Sequence, residues 1–197
     1  MKLLVSALEP SANLHLENLL SGFEKPDEIE LEGIFDERFG LPILPSGSFG
    51  VMGFIDVLSK IPMAKRAIKE MAQIAAGCDA VVLIDSPAFN IPLAKAIKKS
   101  SPKTKIIYYI LPQVWAWKAK RVKVVEAVTD VRAAILPFES RFWNDAVFVG
   151  NPLMEEIKEQ KQNPTTDDIV AFLPGSRRSE IKRLMPIFKE AASALVG

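Results

Sequence analysis

The chain contains one cysteine, Cys78, and one histidine, His15. A single thiol excludes an intramolecular disulfide and any metal site built from several cysteines. A single imidazole excludes the His-Glu-x-x-His zinc pattern. The Gly-x-Ser-x-Gly elbow is missing as well, which speaks against a hydrolase triad. Neither Gly-x-Gly-x-x-Gly nor Gly-x-x-x-x-Gly-Lys-Ser/Thr occurs, so the two common phosphate loops are absent. No apolar run approaches the about 18 residues of a membrane span. The opening run, residues 1–7, is followed at once by Glu9 and Pro10. That is too short for a secretory h-region, and it reads as a first buried strand. Net charge of one sign is also lacking: 25 Lys+Arg face 24 Asp+Glu. A globally basic nucleic-acid binder is thereby excluded.

What is present describes a globular chain. Its 197 residues give room for one domain, or for one domain and the start of another. Apolar residues make up 49% and charged residues 25%, the proportions of a protein with a buried core. The charge is unevenly spread. Residues 1–56 carry ten acids against Lys2, Lys25 and Arg38. Residues 86–125 carry nine bases and no acid. Solvated helix faces account for any single lysine. Forty residues without a carboxylate suggest more, namely a face that meets phosphates or anionic headgroups.

Strand and helix patterns alternate. Residues 2–7, 29–35, 80–84, 105–111, 132–136 and 147–149 read as strands. Residues 13–23, 55–58, 63–76, 91–99, 115–128 and 139–144 read as helices, with 41–53 as loop. This order predicts an α/β fold, a doubly wound parallel sheet of Rossmann-like type. After residue 150 the texture changes. A polar helix over 153–162 and a linker lead to a new strand at 169–173 and a helix at 179–195. The expected organisation is a first domain over 1–150, a helix and linker over 151–168, and the truncated start of a second α/β domain over 169–197.

In a doubly wound sheet, ligands sit beyond the carboxyl ends of the strands. Four segments occupy those positions: Leu8-Glu9-Pro10-Ser11, Asp85-Ser86-Pro87, Leu111-Pro112-Gln113 and Leu136-Pro137-Phe138-Glu139. Asp85 ends a buried apolar strand, where a carboxylate is costly unless solvated, paired or functional. Two readings stand side by side: a cap for the next helix with Ser86, or a general base. Gly175-Ser176-Arg177 lies at a strand-to-helix turn, suited either to a plain cap or to an anion with Arg177 as a bidentate donor. Trp115 and Trp117 are core anchors or a cleft wall. Ile55, Val57, Leu58, Ile61 and Met63 are core, or an exposed patch that touches a membrane.

Taken in order, Val51-Met52-Gly53-Phe54, Ile84-Asp85-Ser86-Pro87-Ala88-Phe89-Asn90, Pro112-Gln113-Val114-Trp115-Ala116-Trp117, Leu136-Pro137-Phe138-Glu139, Val149-Gly150-Asn151-Pro152 and Leu173-Pro174-Gly175-Ser176-Arg177 resemble the lipid-A-disaccharide synthase family. These are GT-B-type glycosyltransferases of Gram-negative bacteria. The resemblance implies transfer from UDP-2,3-diacylglucosamine to 2,3-diacylglucosamine 1-phosphate. The products are a β-1,6-linked lipid A disaccharide phosphate and UDP. It implies an inverting reaction with Asp85 as base and no metal or other cofactor. It implies substrate contacts at Glu9, Ser11, Asn90, Gln113, Trp115, Glu139 and Arg177. It also implies a membrane-facing segment at Ile55, Val57, Leu58, Ile61 and Met63. The expected place is the cytoplasmic face of the inner membrane, without nucleic acid and with self-association left open.

The chain departs from the family at three points. The family's Gly-Glu-x-Ser-Gly-Asp loop is Leu8-Glu9-Pro10-Ser11-Ala12-Asn13 here, keeping Glu9 and Ser11 but neither glycine. Its Gly-His is Gly150-Asn151. Most of the family's second domain lies beyond this sequence, so little transferase activity is expected of the fragment alone. The alternatives are a non-catalytic α/β module that binds lipid phosphate or a partner chain, and a nucleotide binder of other chemistry.

Overall fold

The computed structural model describes residues 1–48, 54–116, 119–156, 169–175 and 178–196; of 54–59, 155, 156, 178 and 196 it describes the backbone alone. Seven strands form one parallel sheet: β1 (Lys2–Ser6), β2 (Glu30–Phe35), β3 (Leu44–Pro45), β4 (Ala80–Ile84), β5 (Ile106–Tyr109), β6 (Val131–Ala134) and β7 (Ala146–Phe148). Their spatial order is β3-β2-β1-β4-β5-β6-β7. The order runs down to β1 and then jumps to β4, so the chain reverses its winding between these two strands. Parallel strands buried on both faces need near-continuous apolar sequence. Leu3, Leu4, Val5, Val81, Val82, Leu83 and Ile84 provide it, each at most 3% exposed.

The pleat sends alternate side chains to opposite faces. Leu4, Val81, Leu83, Ile106 and Tyr108 face one cluster; Leu3, Val5, Val82, Ile84 and Tyr109 face the other. Helices α2 (Phe54–Ile74), α3 (Pro87–Ser100) and α4 (Arg121–Glu126) belong to the first cluster through Met71, Leu93, Ile97 and Val125. On the second, α1 (Pro10–Ser21) contributes Ala12 and Leu16. Further along that face an apolar groove of about 530 Å³ lies between Leu19, Phe23, Val82, Tyr109 and Val131. Gly33 in β2 is a glycine of necessity. Its φ is +117°, and a Cβ there would collide with the Val5 carbonyl oxygen.

Several elements differ from the sequence reading. Residues 55–58 and 63–74 lie within one helix, α2, which runs through Pro62, and residues 75 and 76 fall in the short 3-10 turn Ala75–Gly77 that follows it. The loop expected over 41–53 contains the two-residue β3, paired with Ile34 and Phe35. The helix expected over 115–128 is confined to α4. The strand expected at 169–173 does not form: described residues 169–175 pair with no other strand. Strand geometry needs a ladder partner, and Ile169 and Leu173 stand 71% and 82% exposed. Helix α5 (Leu153–Glu156) precedes them and α6 (Arg178–Val196) follows, with Phe188 of α6 against Phe172, ring centroids 5.3 Å apart.

Asp130 ties α3 to the sheet. It accepts from the Lys98 ammonium and the Ile106 N–H, both at 2.8 Å. Burial opposes its charge, but these bonds together with the charges of Lys98 and Lys105 outweigh it and hold the carboxyl below its ordinary value. A depressed carboxyl contributes stability above its unfolded pKa, about 3.9, and loses it as pH falls through the folded value. Asp130→Asn is therefore expected to be less stable than wild type at pH 7, with the gap closing below about pH 4. Urea melts of both chains across that range check this; a gap that stays constant with pH contradicts it.

Candidate active site

The winding reversal lies between β1 and β4, and the carboxyl ends of the strands there are the usual ligand position in such sheets. Asp85 is the residue that follows β4 there. It is partly exposed, with Ile84 behind it fully buried. Asp85 and Ser86 have φ of +48° and +39°, two successive side-chain-bearing residues in the left-handed region. Beside them Ile110, just after β5, has φ of +62°. Such residues cost about 1 kcal/mol or more each and persist only where their surroundings over-determine them. Ser86, at the N-cap of α3, makes no side-chain capping bond.

The over-determination is visible in the bonds. The Asn90 carboxamide donates to the Ile84 carbonyl at 3.1 Å and to the Asp85 carbonyl at 2.8 Å. Its oxygen accepts from the Ser6 hydroxyl at 2.6 Å, across the winding reversal from β1. The Tyr108 hydroxyl donates to the same Asp85 carbonyl at 2.8 Å. Ser6, Asn90 and Tyr108 are each fully buried. Burial pushes the Tyr108 phenol far above its ordinary value, against the field of Arg121, so it remains a donor. Asp85 thus has a fixed main chain and a carboxylate at the edge of the sheet.

The first loop uses the same device. Asn13 donates to the carbonyls of Ala7 at 3.1 Å and Glu9 at 2.9 Å, and accepts from the Asp36 N–H at 2.7 Å. Both loops read Pro-x-x-Asn: Pro10-Ser11-Ala12-Asn13 and Pro87-Ala88-Phe89-Asn90. In each, proline opens the helix and an asparagine one turn later reaches back to the strand end. Sequence reasoning missed Asn13 as a clamp, although this repeated spacing signals it. It also missed Ser6 and Tyr108, whose partners are 84 and 23 residues away.

The expected site residues divide into two groups. Glu9, Ser11, Asp85, Gln113 and Trp115 all follow carboxyl ends of strands and are at least partly exposed. Trp115 packs edge-to-face on Phe138, centroids 5.3 Å apart, and leaves 41% of its surface open as a wall. Asn90 and Glu139, expected to touch substrate, are instead enclosed. Glu139 is 2% exposed and accepts from the N–H groups of Ile135 and Leu136 at 3.2 and 3.0 Å. Both hold the loops on which the open residues stand. Arg177 lies outside the described residues, as do the side chains of Ile55, Val57 and Leu58; Ile61 is exposed and Met63 is half-buried.

A seven-stranded parallel sheet with helices on both faces and a winding reversal at its centre defines an α/β protein of the Rossmann-like kind. The sequence profile of the family described as lipid-A-disaccharide synthetase matches residues 3–196, and the chain belongs to that family. A lipid-A-disaccharide synthase of Campylobacter jejuni is 51% identical over 98% of this chain and 58% of its own length. One from Helicobacter pylori is 47% identical over 98% of this chain and 52% of its own length. The chain spans about half the length of the curated relatives it matches. Among the described residues no helix is long and apolar enough to cross a membrane.

Proposed function

We propose that the full-length protein is a glycosyltransferase that joins UDP-2,3-diacylglucosamine to 2,3-diacylglucosamine 1-phosphate, and that this chain supplies its acceptor side. Asp85 takes the proton of the acceptor 6-hydroxyl. The hydroxyl oxygen attacks the anomeric carbon of the donor, the bond from that carbon to the diphosphate oxygen breaks, and UDP leaves with the electron pair. Attack opposite the leaving group inverts the anomeric centre and gives a β-1,6 link. Arg177 contacts the diphosphate or a phosphate, where positive charge stabilises the departing group. Glu9, Ser11, Gln113 and Trp115 contact the sugars. Residues 1–150 form the acceptor domain, 151–168 connect, and 169–197 open the donor domain. The start of α2, from Ile55 to Met63, rests on the cytoplasmic surface of the inner membrane.

The observation that carries this reading is the partly exposed Asp85 on a strained turn at the winding reversal, its main-chain carbonyl held by Asn90 and Tyr108. The relatives' name, lipid-A-disaccharide synthase, supports a lipid A disaccharide as the product. The test supplies both substrates to the full-length protein and to this chain. The disaccharide phosphate and one UDP per turnover are expected from the first and near-zero turnover from the second. No product from the full-length protein contradicts the proposal.

A further inference from the structure

Among the open residues expected at the site, Glu9 and Asp85 are the two acids. They follow neighbouring strands, since β1 pairs with β4. Ser6 stands opposite Leu83 in that ladder, so both acids come within three residues of the same rung. Neighbouring strands lie about 4.8 Å apart, a gap that one sugar ring spans. Other acids near the rim are engaged or further away. Glu139 is enclosed and bonded to main chain. Asp36 follows β2, one strand further from β4, and accepts from the Arg38 N–H at 3.1 Å.

The main chain around Glu9 is held by three successive carbonyls. The Asn13 carboxamide takes those of Ala7 and Glu9, and the Gly47 N–H donates to that of Leu8 at 3.0 Å. Asn13 is 2% exposed, whereas Glu9 is open to solvent. Glu9 occupies the N-cap of α1 but makes no side-chain capping bond, so closing the helix is not its task. The bond from Ser6 to Asn90 then joins β1 to the turn of Asp85. One bonded frame therefore carries both acids. An ionised carboxylate only accepts hydrogen bonds, which suits hydroxyl donors.

The proposed acceptor carries acyl groups at positions 2 and 3 and phosphate at position 1. Its ring therefore keeps two hydroxyls, at positions 4 and 6, on adjoining carbons of the sugar. We infer that Glu9 accepts from the acceptor 4-hydroxyl while Asp85 takes the proton of the 6-hydroxyl, and that Asn13 is the positioning residue for Glu9. This rests on the function proposed above and makes Glu9 the residue that selects the acceptor's sugar.

The test pairs variants of the full-length protein with the acceptor and its 4-deoxy analogue. Wild type should use the analogue at least tenfold less well, read as kcat/KM, because a site built to bond a hydroxyl rejects the molecule lacking it. Glu9→Ala should use both within about twofold of each other, and Gln113→Ala should keep the wild-type ratio. Asn13→Ala should cut the ratio below about threefold and, in the Glu9→Ala background, lower kcat/KM no further. A residue acting independently of Glu9 would add its loss there in full.

Glu9 is exposed, so its replacement leaves the fold intact and decides the matter even if Asn13→Ala does not fold. A wild type indifferent to the 4-hydroxyl, or a Glu9→Ala variant that keeps the tenfold ratio, overturns the assignment. Asn13→Ala with the wild-type ratio removes Asn13 from it. A wild type that forms no disaccharide, yet binds the acceptor tenfold more tightly than the analogue and loses that preference in Glu9→Ala, would instead sink the transferase reading and leave the assignment standing.

Discussion

Asp85→Asn in the full-length protein is expected to lower kcat by about 10²–10⁴-fold, the usual contribution of a general base. Asparagine keeps the side chain's size and its hydrogen-bonding reach but cannot accept the acceptor proton. The KM values should stay within a few-fold, because the main-chain frame around residue 85 does not depend on the carboxylate. Asparagine also tolerates the left-handed backbone that residue 85 adopts at φ +48°, so the melting temperature should hardly move. Steady-state kinetics with both substrates, together with a thermal melt, check all three statements. Turnover within threefold of wild type would remove Asp85 from the chemistry.

The second large effect is expected at Asn90. Asn90→Ala deletes three hydrogen bonds at once and leaves the Ser6 hydroxyl and the Ile84 carbonyl without their amide partner inside the protein. An unsatisfied buried polar group costs about 1–3 kcal/mol. A loss of about 3 kcal/mol is expected, which for a chain of this size lowers the melting temperature by roughly 6–12 °C. Tyr108→Phe removes one bond to the Asp85 carbonyl and should cost about 1 kcal/mol. Its signature should lie in kinetics: kcat falls several-fold with both KM values unchanged, because a looser turn misplaces the base without touching a substrate subsite. Asn90→Ala with an unshifted melting temperature, or Tyr108→Phe with wild-type kcat, would mean that the strained turn holds itself.

The winding of the sheet and the place of Asp85 were legible because both depend on local pattern. Continuous apolar runs mark buried parallel strands, and an acid at the end of one marks the sheet's rim. What escaped depends on contacts far apart in sequence. Pro62 reads as a helix start or a kink between two helical segments, since proline removes a helical hydrogen bond. Packing of α2 through Ala67 and Met71 into the core carries the helix past it. Two residues cannot show alternation, so β3 is visible only through its register with Ile34 and Phe35. Residues 169–173 have strand composition but no partner, and composition does not supply one.

The site was split in the same way. Trp115 and its neighbours looked helical because aromatic spacing does not separate a helix face from a cleft wall. In the fold Val114 is buried and Trp115 turns outward onto Phe138. Glu139 and Asn90 carry the polar groups expected of ligand contacts, yet both spend them on neighbouring main chain. Polar residue type announces a hydrogen bond and leaves open whether the partner is ligand or loop. The Pro-x-x-Asn pair was the available clue, because its repetition after two strands fits a shared structural task better than two separate ligand contacts.

The most direct measurement is the distance from the Asp85 carboxylate to the acceptor 6-hydroxyl in a structure of the full-length protein with acceptor and UDP bound. Hydrogen-bond contact, about 2.6–3.2 Å directly or through one water, is the expected result. A 6-hydroxyl bound elsewhere and bonded to a different base would contradict the account.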